Sequence, residues 1–288
     1  MLSADNLDLF LLEDVLWLAT ASTRVPAYDF DFSTFFAIRR PWEPELPLRA
    51  VGRFGAAANY NELFSQLLER GVELVHSPEM HVRASELPAW YPLIADLTPR
   101  SQWFAEPPSA QEIETSFAWP VFIKGSRQTS RHQKALSIVG SREEFNKVLK
   151  QIRQDPILNW QTLVVREFLP LRPIEGGIPG KIPASFEFRT FWWRGKCVGE
   201  GRYYTQAPKY QWTGAERQSA LAVAQAAVQR VEVTFLVVDL AQCRDGSWVV
   251  VELNDGQESG YAGIAPVTLW QNIIAIERER LGSSKQSE

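Results

Sequence analysis

Two strand-like runs near the C-terminus constrain this chain more than any other feature. Phe235-Leu-Val-Val-Asp239-Leu and Val249-Val-Val-Glu252-Leu-Asn254 flank Asp245-Gly246. That dipeptide favours a two-residue hairpin, because a type I′ turn needs positive φ. In a symmetric hairpin, Asp239 then faces Glu252 on one side of the sheet, with Cβ atoms about 5 Å apart, and Asn254 shares that side. Facing carboxylates repel, and apolar surroundings make uncompensated charge more costly. A divalent cation is the simplest compensation. The all-oxygen set Asp239, Glu252 and Asn254 suits Mg²⁺ better than zinc. Two alternatives stand beside it: a solvated sheet face, and neutralisation by an arginine. An arginine lodged between the acids would remove the need for a metal.

A second cluster begins at Lys124, the first lysine in the chain. It ends the apolar strand Val121-Phe-Ile-Lys124. The loop after it holds Gly125, Ser126, Arg127, Thr129, Ser130, Arg131, His132 and Lys134. Hydroxyls, backbone N–H groups and cationic tips are what a polyphosphate requires. The glycine–lysine spacing is not that of a Walker A loop, and the Lys-x-Asp-Gly of covalent nucleotidyl transferases is absent. A basic loop alone is usually a solvated one; in the same domain as the acidic hairpin, a nucleotide site is the better reading. Arg166-Glu167-Phe168-Leu169 ends a further strand. Within Phe186–Phe191, Arg189 alternates with apolar neighbours, and an internal salt bridge to Asp239 or Glu252 is its competing role.

The 288 residues suggest two domains. Glu106-Pro-Pro-Ser109 reads as a linker, since consecutive prolines block helix and central strand alike. We place an N-terminal α/β domain at 1–105 and an α+β domain at 106–288, with subdomains 106–170 and 171–288. Strands are expected over 28–38, 48–54, 72–75, 121–124, 135–139, 162–168, 185–194, 196–200, 235–241 and 248–253. Helices are expected over 59–70, 141–154, from Thr213 onward, and 267–281. Leu7–Ala19 is interrupted by Glu13 and Asp14, so neither a signal peptide nor a membrane span is expected. The net charge of −4 gives no global support for nucleic-acid binding. Two cysteines fit a reducing, cytoplasmic setting. The three histidines lack metal-ligand spacing. Of Trp192 and Trp193, strand alternation makes at least one core, and Tyr203 and Tyr204 are either acceptor-binding or a surface loop.

The order of these motifs resembles the ATP-grasp superfamily. Within it, the resemblance is to a clade of bacterial and phage proteins related to the ATP-grasp assembly chaperone of eukaryotic translation initiation. It is carried by Trp119-Pro-Val-Phe-Ile-Lys124, Leu163-Val-Val-Arg-Glu-Phe168, Glu187-Phe-Arg189, Val238-Asp239 and, most specifically, Val251-Glu-Leu-Asn-Asp-Gly-Gln-Glu-Ser-Gly260. His76-Ser-Pro-Glu79, Trp90-Tyr-Pro92 and Thr98-Pro-Arg100 also match, so it spans roughly residues 50–265.

The resemblance implies ATP clasped between two antiparallel α+β subdomains. Lys124 would contact phosphate, with Ser126, Arg127 and Lys134 in the loop folding over it. Arg166, Glu167, Phe168 and Leu169 would border adenine, Arg189 would reach the γ-phosphate, and Asp239, Glu252 and Asn254 would hold Mg²⁺. The family's earlier phosphate-binding lysine has no counterpart, and Arg100 is the candidate substitute. The implied reaction is ATP- and Mg²⁺-dependent joining of a carboxylate to an amine through an acylphosphate, on an amino acid, peptide or protein. A non-enzymatic ATP-binding assembly factor is the alternative.

Overall fold

A computed structural model describes residues 7–12, 16–21, 38–39, 48–57, 59–127, 134–155, 158–176 and 179–284. The first sheet contains β1 (Leu7–Leu12), β2 (Leu16–Ala21), β3 (Ile38–Arg39), β4 (Leu48–Arg53) and β5 (Val72–Leu74) in the order β3-β1-β2-β4-β5. β2, β4 and β5 run parallel. β4 and β5 are linked through α1 (Tyr60–Glu69), which Asn59 caps by accepting from the Glu62 N–H. Of the strand expected over 28–38, all but Ile38 lies outside the described residues.

The segment 76–100, for which no elements are expected from pattern, forms α2 (Pro78–Ser85) and α3 (Leu87–Ile94). Ser77 caps α2, and Pro78 takes its first turn, where a missing N–H is harmless.

The second sheet is antiparallel, in the order β6-β9-β7-β8: β6 (Ser101–Phe104), β7 (Val121–Gly125), β8 (Ile138–Val139) and β9 (Leu163–Glu167). β6 lies upstream of the proline pair taken as the domain boundary, yet pairs with β9. The strand expected over 135–139 is instead a turn of helix, α5 (Lys134–Ser137), followed by the two-residue β8. Only Ile138 and Val139 have the β-branched side chains that favour extended backbone. α4 (Ala110–Glu114) and α6 (Arg142–Ile152) cover one face, over Val121, Ile123, Phe145 and Val165. Ser141 caps α6.

The third sheet, order β11-β10-β12-β13, is also antiparallel: β10 (Glu187–Trp193), β11 (Lys196–Arg202), β12 (Phe235–Gln242) and β13 (Trp248–Asp255). On one face Phe188, Trp192, Leu236, Val238 and Val250 pack beneath Ala220, Ala224 and Ala227 of α7 (Gly214–Val231). Those alanines recur at helical spacing, and their small side chains let the helix approach the sheet closely. On the other face Phe191, Trp193, Phe235 and Val237 pack against Leu269, Trp270 and Ile273 of α8 (Pro266–Ser284). Trp192 and Trp193 therefore enter opposite cores. Each indole N–H is satisfied, by Thr190 Oγ1 and Glu277 Oε1 respectively, both at 2.8 Å.

Asp239 does pair with Glu252, but not through the expected two-residue turn. Of Asp245 and Gly246 only Gly246 takes positive φ (+89°). The Cys243 N–H donates to Ser247 O at 2.8 Å, closing a three-residue loop. That shifts the register by one residue, pairing Leu240 with Val250. A bulge at Val251 absorbs the shift and restores Asp239 opposite Glu252. Arg166 stabilises the bulge, donating to Val251 O at 2.5 Å, to Thr98 Oγ1 at 2.6 Å and to Ser101 Oγ at 3.0 Å. Among the described residues, no helix is long and apolar enough to cross a membrane.

Candidate functional site

Strand alternation puts Glu187, Arg189, Asp239, Glu252 and Asn254 on one face of the third sheet. Lys124 meets this face from β7 of the second sheet. Arg189 grips Asp239 with two bonds, Nε to Oδ1 at 2.8 Å and Nη2 to Oδ2 at 2.7 Å, the bidentate geometry at which guanidinium excels. Its Nη1 donates to Gly260 O at 2.8 Å, and its guanidinium lies 5.1 Å from the Tyr203 ring centre. Lys124 Nζ donates to Glu252 Oε1. Asn254 Nδ2 lies 3.4 Å from Asp239 Oδ2. Lys124, Asp239, Arg189 and Glu252 are 4%, 1%, 8% and 4% exposed, so none of these charges is screened by bulk water.

This corrects the repulsion argument. The acids face each other as expected, but each already has a cation from another strand, so neither needs a resident metal to be tolerated. Among the described residues, no three His, Cys, Asp or Glu side chains form a group that could hold a metal ion. The candidate set is two carboxylates and an amide. Burial depresses the Lys124 ammonium, against the attraction of Glu252, and raises the Glu252 carboxyl, against the attraction of Lys124. Burial also works against the charge on Arg189, but Asp239 outweighs it and holds the guanidinium above its ordinary value. Burial, against the attraction of Glu252, lowers Arg166 to about 10.

Sequence reasoning missed Glu187. It lies two residues before Arg189 on the same face, accepts from Ser185 Oγ at 3.1 Å, and is pushed up to about 8 by burial and then by Asp239. Its charge among the phenylalanines of β10 was the available signal. Glu187 lines a cavity of about 40 Å³ with Lys124, Arg166, Tyr203, Tyr204 and Glu252. The two tyrosines thus belong to the site rather than to a remote surface loop. A carboxyl raised on folding stabilises the native state fully below its unfolded value, about 4.3. That contribution fades as pH rises toward about 8 and is gone above it. Glu187→Gln should therefore abolish a loss of stability that the parent shows across this interval. Urea unfolding curves that stay parallel for the two proteins throughout it would refute the assignment.

The remaining sequence candidates divide. Ser126 is buried, with its backbone bonded to Leu87 N and Thr162 O. Arg127 is buried and donates to Ala57 O, to His81 Nε2 at 2.9 Å and to Glu258 Oε2 at 2.7 Å. It ties the end of β7 to the N-terminal layer instead of projecting toward Lys124. The residues 128–133 and the Lys134 side chain lie outside the described residues. Glu167 and Phe168 are exposed and Leu169 is partly buried, where the chain leaves β9. Arg100 is exposed and lies 4.7 Å from the Phe117 ring centre, over the core on the sheet face opposite Lys124. The structure does not bring it to the Lys124 row, because it is out of phase by one residue with Ser101, which bonds to Arg166 on the cleft side.

This arrangement, buried cations and carboxylates between two antiparallel sheets, has relatives among solved structures. The RimK-domain ATP-grasp protein of Sphaerobacter thermophilus is 16% identical, with 79% of each chain covered and a TM-score of 0.53. The D-alanine-D-alanine ligase of Coxiella burnetii is 14% identical, with 83% of this chain and 70% of that chain covered and a TM-score of 0.56. At such identities these likenesses show the fold. No curated protein matches the chain in sequence. The model of one family, an ATP-grasp domain that is the third family of its clade, matches residues 74–273, which takes in the end of β5 through most of α8. On that match, which covers well over half of the sequence, the chain belongs to this clade of the ATP-grasp superfamily.

Proposed function

We propose that the chain is an ATP- and Mg²⁺-dependent carboxylate–amine ligase, forming an amide or peptide bond through an acylphosphate. The observation that carries this reading is the buried row Lys124, Glu252, Asp239 and Arg189 between two facing sheets, in a chain of the ATP-grasp superfamily. Asp239, Glu252 and Asn254 offer only oxygen and amide donors within one register pair and its neighbour, which fits Mg²⁺. They would hold the ion, which supplies charge neutralisation on the phosphate oxygens. Lys124 and Arg189, released from their carboxylates, would turn to the phosphates, Arg189 on the γ side. Glu167, Phe168 and Leu169 would border the base.

The acceptor carboxylate attacks the γ-phosphorus, and the bond to the β–γ bridging oxygen breaks, so ADP leaves. The amine then displaces phosphate from the acyl carbon. Such transfers depend on positioning and charge neutralisation rather than on a side-chain nucleophile. Acceptors would be an amino acid, peptide or protein. The free thiols of Cys197 and Cys243 support a cytoplasmic setting.

A screen for ADP release against pooled amino acids and peptides tests the reading. Glu252→Gln is the control, since it retains an oxygen for Lys124. ADP release in one pool that falls about 100-fold in the control is the expected result. ATP binding without turnover in any pool would favour an assembly factor. Absence of ATP binding would end both readings.

A further inference from the structure

The motif that follows the metal strand contains a second, wholly buried polar unit. Asp255 is fully buried and accepts from His76 Nδ1 and His81 Nδ1, each at 2.9 Å, both at its Oδ2. The tautomers follow from the other ring nitrogens. His76 Nε2 accepts from the Phe235 N–H at 2.9 Å, and His81 Nε2 accepts from Arg127 Nη2 at 2.9 Å. An arginine only donates, so both rings carry their proton on Nδ1 and donate it to Asp255. Gln257 completes the set, its N–H donating to Asp255 Oδ1 at 2.8 Å and its side chain to Tyr60 Oη at 2.9 Å. Tyr60 in turn stacks on His81 with ring centres 3.8 Å apart. The two histidines hold the Asp255 carboxyl well below the usual range, despite the opposing effect of burial.

Each arm of this unit ends on a strand that carries a site group. Asp255 itself terminates β13, three residues after Glu252 and one after Asn254. His76 pins Phe235, the first residue of β12, four residues before Asp239. His81 pins Arg127, three residues after Lys124 at the end of β7, in the other sheet. We propose that Asp255, acting through His76 and His81, is a positioning residue that sets the spacing of Lys124 against Asp239, Glu252 and Asn254 across the cleft. The inference rests on the proposed Mg²⁺·ATP role of those four groups. A buried polar network whose members are all bonded specifies one arrangement, because any displacement leaves a donor or acceptor unpaired. Apolar packing alone would tolerate small slips of β7 relative to β13.

The test compares Mg²⁺·ATP with adenosine, both by calorimetric titration of the full chain. Asp255→Asn turns an N–H₂ or a weaker acceptor toward the two imidazole donors. It is expected to weaken Mg²⁺·ATP about tenfold, the order seen when groups supporting metal ligands are removed, while adenosine binding stays within about twofold of the parent. If that variant fails to fold, His81→Phe retains the stack on Tyr60 and cuts only the link between Asp255 and Arg127. It should show the same split at about threefold. Equal losses for both ligands, or none for either, would overturn the positioning role. A parent protein that does not bind Mg²⁺·ATP would instead overturn the functional reading beneath it.

Discussion

Replacing Arg189 with methionine is expected to lower the unfolding free energy of the unliganded protein by about 3–5 kcal/mol, because Asp239 would be left buried and unpaired. The carboxylate is 1% exposed and takes two of its bonds from this one guanidinium. The weak contact from Asn254 cannot replace them. The double replacement Arg189→Met with Asp239→Leu should recover most of that loss, since a buried ion pair and a well-packed apolar pair of similar volume are often close in stability. Urea unfolding of the three proteins decides the matter. A single variant as stable as its parent would mean that Asp239 is neutralised in some other way. The same reasoning revises the expectation that alanine at Asp239 or Glu252 disturbs only ligand binding: each acid also supports the fold.

ATP and Mg²⁺ should bind with strong mutual dependence. If Lys124 and Arg189 move to phosphate, Glu252 and Asp239 are left as two buried negative charges, and one divalent cation is their match. Neither ligand alone satisfies the site. The affinity for ATP is therefore expected to rise on the order of 100-fold when Mg²⁺ replaces chelator, near the upper end of ordinary coupling between ligands. Removing the stranded charge should remove the coupling. In the double variant Asp239→Asn with Glu252→Gln, ATP without metal should bind more tightly than to the parent, and the benefit of Mg²⁺ should shrink below about tenfold. Calorimetry with and without chelator checks both. A parent that binds ATP equally well in the two conditions would refute the exchange of partners.

Much of this was legible from local pattern. Alternation along Phe235–Leu240 and Val249–Asn254 is a period-two signal that strands obey wherever one face is buried. It put Asp239 and Glu252 face to face although the turn differs from the expected one, because the bulge at Val251 compensates for the three-residue loop. Helix caps at Asn59, Ser141 and Thr213 were readable for the same reason: they involve residues three apart. The order of motifs pointed to the superfamily. Other features had no local signature. Arg166 reads from its strand as a nucleotide contact, and only the docking of Thr98 and β13 reveals it as the brace of a bulge.

The chain's own pattern settled which residues are strands, where they turn, and that two acids share a face. Only the folded molecule decided what neutralises those acids and what fixes them in place. Lys124 is 128 positions from Glu252, and Asp255 is 179 and 174 positions from its two histidines. Propensity, alternation and capping act over a few residues, whereas these partners are chosen by which strand ends meet when two sheets and an N-terminal layer close on one another.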